Sequence, residues 1–115
     1  MDQTTINEVV KFLKESLIQN GIKVESIALF GSALSGEIRS NSDIDLIIIS
    51  ADFRDKDIFE RSKLTMAPEI RTFKKFKVPM DILNMSPEEY RNLKLKMLYP
   101  SQIVASSYYQ DTRLF

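Results

Sequence analysis

Ile6, Val9, Val10, Leu13 and Leu17 recur at spacings of three and four, the period of a helix with one buried face. Thr5, with Glu8 three residues later, makes a capping box ahead of them, so the pattern predicts a first helix over about 5–19, stopped at Asn20-Gly21. From Val24 to Phe30 the period gives way to an apolar, partly β-branched run of strand length ending at a glycine, which predicts a central, buried strand. Asp43 to Ser50 reads as a second strand that opens with two acids and continues into β-branched core. A helix is expected from about Asp57, carrying Ile58, Phe59 and Met66, with Pro68 dividing it into two pieces before Ile70 and Phe73 resume the stripe. Val78 to Asn84 predicts a third strand, with Pro79 near its start, where a missing amide donor is tolerated at a sheet edge. Ser86-Pro87-Glu88-Glu89 joins a cap, a first-turn proline and a capping-box acid at the start of a helix that ends before Pro100. A short helix around Gln102 to Tyr109 and a terminal Arg113-Leu114-Phe115 stretch close an α+β chain, a small mixed β-sheet flanked by helices.

Composition narrows what such a chain can do. Its 115 residues are expected to form one domain, 1–115. Sixteen Lys and Arg balance sixteen Asp and Glu, so the basic footprint of a nucleic-acid-binding surface is missing and no direct nucleic-acid binding is expected. The absence of cysteine excludes a disulfide framework, a thiolate nucleophile and a cysteine-ligated zinc site. The absence of histidine excludes Ser-His-Asp and Cys-His catalysis, leaving carboxylates, hydroxyls, lysines or a hard metal ion. Met1 to Thr5 lacks the basic and apolar regions of a secretory signal, and the run Leu46 to Ile49 is far short of the ~20 residues a bilayer requires, so a cytoplasmic protein without a membrane segment is expected.

Chemistry concentrates at the mouths of the strands. Asp43 and Asp45, two apart on a strand, share a face with Cα atoms roughly 6.5 Å apart. Two like charges so placed stay ionised cheaply only with a cation between them, and an all-oxygen donor set favours Mg²⁺ or Mn²⁺. Most Asp-x-Asp triplets only cap a loop, and Asp55-Lys56-Asp57 is such a case, a solvated turn leading into a helix. Asp43 and Asp45 differ because the apolar run behind them fixes them at the mouth of a core strand. Asp81, in the third strand, stands on the face opposite Met80 and Ile82 and joins the pair if that strand lies beside the second. Gly31-Ser32 offers close backbone approach and a hydroxyl donor to phosphate oxygens, although a tight strand-to-helix turn would have the same sequence. Neither a dinucleotide fingerprint nor a P-loop is present.

Together, Phe30-Gly31-Ser32, ten further residues, Asp43-Ile44-Asp45 and a later Asp81 resemble the Gly-Ser, Asp-x-Asp signature of the polymerase-β-like nucleotidyltransferase superfamily. The chain looks most like the minimal nucleotidyltransferases, the MNT proteins of MNT/HEPN toxin–antitoxin pairs. Ser42 to Leu46, Val78 to Ile82 and the stretch from Ile103 to Phe115 all fall where that family has comparable segments. The resemblance implies a polymerase-β-like palm in which Gly31 and Ser32 hold the phosphates of ATP while Asp43, Asp45 and Asp81 are catalytic and ligate Mg²⁺ (or Mn²⁺). It further implies transfer of AMP to a hydroxyl, a tyrosine of a HEPN-type toxin partner, in a homo- or hetero-oligomer. One departure stands out: where the minimal proteins carry a basic turn after Gly-Ser, this chain has Ala33-Leu34-Ser35-Gly36, with Arg39 the nearest cation in the loop. That departure motivates a rival reading, a non-catalytic antitoxin that neutralises by covering its partner. A small-molecule nucleotidyltransferase is a third, although such enzymes usually need more chain to hold their substrate. Lys74, Lys75 and Lys77 read as a solvated helix end, and Tyr90, Tyr99, Tyr108 and Tyr109 as core or interface aromatics.

Overall fold

A computed structural model describes residues 2–31, 43–96 and 101–106. Helix α1 (Gln3–Gln19) is followed by strands β1 (Val24–Phe30) and β2 (Ile44–Ser50), a 3-10 turn (Ala51–Phe53) and helix α2 (Ile58–Phe76). Strand β3 (Met80–Met85), helix α3 (Pro87–Lys96) and strand β4 (Ser101–Ser106) complete the order. The four strands make one mixed sheet, β3-β2-β1-β4, in which β1 is antiparallel to both its neighbours and β2 is parallel to β3.

Alternation along the strands sorts side chains onto two faces. Ile27, Leu29, Ile44, Leu46 and Ile48 meet Val9, Leu13 and Leu17 of α1 and form the main core, to which Leu64 and Phe76 of α2 add. Ala28, Ile47 and Ile49 point the other way and are covered by Tyr90 and Leu93 of α3. The second cover is the smaller one, and among the described residues it does not reach one end of that face.

Local sequence explains most boundaries. The turn after α1 is a Schellman motif: the Ile22 amide donates to Leu17 at 3.0 Å, and Gly21, at φ 88°, donates to Ile18. At α3, Ser86 and Glu89 exchange the expected bonds, the Ser86 amide donating to Glu89 Oε1 and the Glu89 amide to Ser86 Oγ. Asp57 caps α2 in a second such box with Glu60, so Asp55-Lys56-Asp57 is a turn into a helix, as the sequence indicates.

Five expectations require correction. Helix α1 begins two residues earlier than expected, because Asp2, not Thr5, is the cap; its carboxylate accepts from the Thr5 amide. Strand β2 begins at Ile44, with Asp43 just outside it, and β3 runs from Met80 to Met85, so Pro79 precedes the strand. Pro68 does not divide α2, which is continuous across it. A proline there leaves the Leu64 carbonyl without its helical donor, and Asn20 Nδ2 at the end of α1 supplies one at 3.3 Å. Lastly, the segment expected as a final helix is strand β4 at Ser101–Ser106, since β1 presents a second edge that this β-branched stretch fills. Residues 107–115 of the same expectation lie outside the described residues.

Candidate active site

The parallel pairing of β2 with β3 sets Asp45 directly beside Asp81. Both side chains stand on the α3 side of the sheet, at the end α3 does not cover, with Asp81 exposed and Asp45 partly buried. Asp43 lies one residue ahead of β2 and is exposed. Burial is the main cause that pushes the Asp45 carboxyl above its usual range, and the charges of Asp81 and then Asp43 push it the same way. The three acids expected from the sequence therefore lie at one end of the sheet, where Asp45 senses the charges of the other two. They are not gathered into a ready cage: among the described residues, no three acidic groups are arranged to hold a metal ion.

Gly31 closes this end from the side of β1. Phe30 pairs with Asp45 across the sheet, and the chain turns at Gly31 with φ 71°. A Cβ added there would collide with Oδ2 of Asp45. The left-handed backbone requires glycine here, and a side chain would in addition displace the Asp45 carboxylate packed against its Cα. Ser32, and the rest of the loop through Ser42 with Ala33 to Gly36 and Arg39, lie outside the described residues.

Tyr90 is buried and its hydroxyl is 2.7 Å from Ser101 Oγ, so it belongs to the core, as expected; Tyr99, Tyr108 and Tyr109 lie outside the described residues. Lys74, Lys75 and Lys77 are exposed at the end of α2, and Lys75 Nζ rests 5.0 Å from the Phe12 ring. The apolar stripe of α2 holds the feature that pattern alone misreads, since Ile58, Phe59, Met66, Ile70 and Phe73 all stand exposed. Periodicity identifies a stripe but not which way the helix is turned. The buried positions are Thr65, Pro68 and Thr72, with Leu64 and Phe76 partly buried against the core.

A small mixed sheet with helices on both faces, a strand pair bearing adjacent acids and a glycine turn beside them define a nucleotidyltransferase palm. The chain belongs to the polymerase beta nucleotidyltransferase family, whose match spans residues 11–109. Solved structures share the fold at low identity. A Sulfolobus solfataricus protein assigned to the nucleotidyltransferases matches at TM-score 0.53 and 17% identity, over 90% of this chain and 87% of that one. A chain of a toxin–antitoxin complex with AMP-PNP matches at TM-score 0.56 and 21% identity, over 88% and 76%. A chain from the complex of a tri-AMPylated Shewanella oneidensis HEPN toxin with its MNT antitoxin matches at 0.52 and 20%, over 96% and 77%. No protein of curated function matches significantly. Among the described residues no helix is long and apolar enough to cross a membrane.

Proposed function

We propose that this single-domain chain is a cytoplasmic, Mg²⁺-dependent (or Mn²⁺-dependent) adenylyltransferase that moves AMP from ATP onto a protein hydroxyl, a tyrosine of a HEPN-type toxin, and so acts as the antitoxin. The observation that carries the reading is the in-register pair Asp45 and Asp81, with Asp43 beside them and Gly31 packed against Asp45. AMP-PNP in one structural neighbour and an AMPylated toxin in another support the donor and the acceptor class.

The residues suit a divalent cation. All three candidate ligands are carboxylates, the charges of Asp81 and Asp43 add to burial in raising the Asp45 pKa and are the part a cation would relieve, and Asp43 and Asp81 are exposed enough to turn toward a common centre. Asp43, Asp45 and Asp81 would hold it, and it would supply charge neutralisation and a lowered pKa for the attacking hydroxyl. Gly31 and Ser32 would hold the phosphates, the glycine by letting them approach the backbone. The acceptor oxygen bonds to the α-phosphorus while the bond to the bridging oxygen breaks; pyrophosphate leaves and Asp81 takes the hydroxyl proton. No histidine is needed for this chemistry.

The loop without a basic turn after Gly31-Ser32 favours one rival, an antitoxin that neutralises by covering its partner. The double variant Asp43→Asn, Asp45→Asn separates them. Incubated with labelled ATP, Mg²⁺ and the toxin, an enzyme loses both label transfer and neutralisation, at least 100-fold for transfer if the acids bind the metal. Neutralisation that survives intact assigns the blocking role instead.

A further inference from the structure

Of the eight large apolar side chains exposed among the described residues, five lie on α2: Ile58, Phe59, Met66, Ile70 and Phe73. Phe59, Met66, Ile70 and Phe73 follow one another at seven, four and three residues and share one flank of the helix. That flank borders β3, an edge strand of the sheet. Between them runs a groove of ≈ 580 Å³ whose apolar wall is Met66, Ile70 and Phe73 on the helix with Pro79 and Met80 on the strand. Lys74 and Lys77 stand at the groove and have no ion-pair partner among the described residues. Glu69 also lines it, but its carboxylate already accepts the Thr65 hydroxyl at 2.6 Å.

Among the described residues, no strand pairs with the outer edge of the strand beside this groove. The Pro79 carbonyl accepts from the Ile44 amide at 3.0 Å, so alternation directs the backbone of residues 81, 83 and 85 toward β2 and that of 80, 82 and 84 outward. Arg61 Nη1 bonds the Asn84 carbonyl at 2.9 Å from the outer side, as this alternation requires. The outward N–H and C=O groups of Met80 and Ile82 therefore face an edge that no strand among the described residues fills, one residue either side of Asp81.

We propose that this edge receives an extended segment of the acceptor protein as a fifth strand, laying the acceptor hydroxyl beside Asp81. The inference rests on the protein-acceptor reading above and specifies how the acceptor is held. In an added strand, the residue opposite Asp81 turns its side chain to the open face, with Cβ atoms roughly 4.5–5.5 Å apart. Its two neighbours turn to the other face, over the apolar flank of α2, and their backbones bond Met80 and Ile82. Acids beyond them meet Lys74 and Lys77. The geometry thus selects an apolar, hydroxyl, apolar triplet with acidic flanks. A second copy of this chain fits poorly: antiparallel pairing centred on Ile82 would set two Asp81 residues about 8 Å apart on one face, by strand rise and spacing. It would add like charge where Asp45 already feels it.

The probe is the peptide Glu-Glu-Leu-Tyr-Leu-Glu-Glu, added to the ¹⁵N-labelled protein without ATP and followed by amide chemical shifts. Expected are shifts centred on Met80 to Asn84, at least tenfold weaker binding when both peptide leucines are N-methylated, and similar weakening in Lys74→Glu, Lys77→Glu. An Ile70→Asp variant, altered at an exposed site, keeps its fold and loses the shifts. The Asp43→Asn, Asp45→Asn variant binds the peptide as the wild type does. Absence of shifts, equal binding of the N-methylated peptide, or sedimentation showing that the free protein already pairs through this edge overturns the proposal. Binding without label transfer from ATP leaves the docking edge standing and counts against the transferase reading alone.

Discussion

Asp45 is held where its charge is unwelcome, between Asp43 and Asp81 and partly out of water. A carboxyl whose folded-state pKa is raised contributes stability fully present below the ordinary value of 3.8 and lost as pH rises through the folded value. Asp45→Asn removes that loss, so it should melt higher than the wild type at pH 7 and alike at pH 3, while label transfer from ATP disappears. A lower Tm at pH 7 would mean that the acid serves the fold instead. Glu69 follows the same sign for a simpler cause, burial, opposed by its bond from Thr65. Glu69→Gln keeps an acceptor for Thr65 and should raise Tm at pH 7, with the difference vanishing near pH 4; differential scanning calorimetry at the two pH values reads both variants. Here the positions of Asp43, Asp45 and Asp81 were legible in the sequence because a rigid β-branched run follows the first two and apolar strand residues flank the third. The sequence was silent about Glu69, whose burial depends on how α2 is turned.

At the scale of elements, the turn after α1 and the caps of α2 and α3 were legible, while the cap of α1 and helix orientation were not. The signal at Ser86 to Glu89 became a capping box, and Asn20-Gly21 a Schellman turn, since both depend on residues within five positions of each other. Pro68 and β4 were misread for the opposite reason: what decides them is contributed from far along the chain, by Asn20 and by the edge of β1. Asn20→Ala leaves the Leu64 carbonyl without that donor and should cost about 0.5–1.5 kcal/mol in urea denaturation, more than Asn20→Ala costs in a Pro68→Ala background. Glu89 links two elements, accepting from the Ser86 amide and pairing with Arg61 at 2.6 Å, a residue that also bonds the carbonyls of Lys56 and Asn84. Glu89→Ala should therefore cost about 1–3 kcal/mol, above the loss of an exposed ion pair.

Across the whole molecule the two sides of the sheet differ in kind. One carries the bulk of the core between β1, β2 and the α1 layer; the other is covered by α3, whose only deeply buried large side chain among the described residues is Tyr90. Amide exchange should be slowest in β1 and β2 and much faster in α3, which would open without unfolding the sheet; uniform protection would contradict this division. The fold class was readable from the order of patterns along the chain, because alternating helix and strand periods leave few ways to layer 115 residues. Strand order was not, and it is strand order that makes Asp81 a neighbour of Asp45. The tight seat of Gly31 has an evolutionary reading as well. The group that a methyl there would displace is the carboxylate of Asp45, whose charge burial and its acidic neighbours disfavour. A lineage that gave up phosphoryl chemistry and kept only a grip on its partner would free position 45 while the left-handed turn still held position 31, so homologues with a smaller or apolar residue at 45 should turn up with the glycine retained.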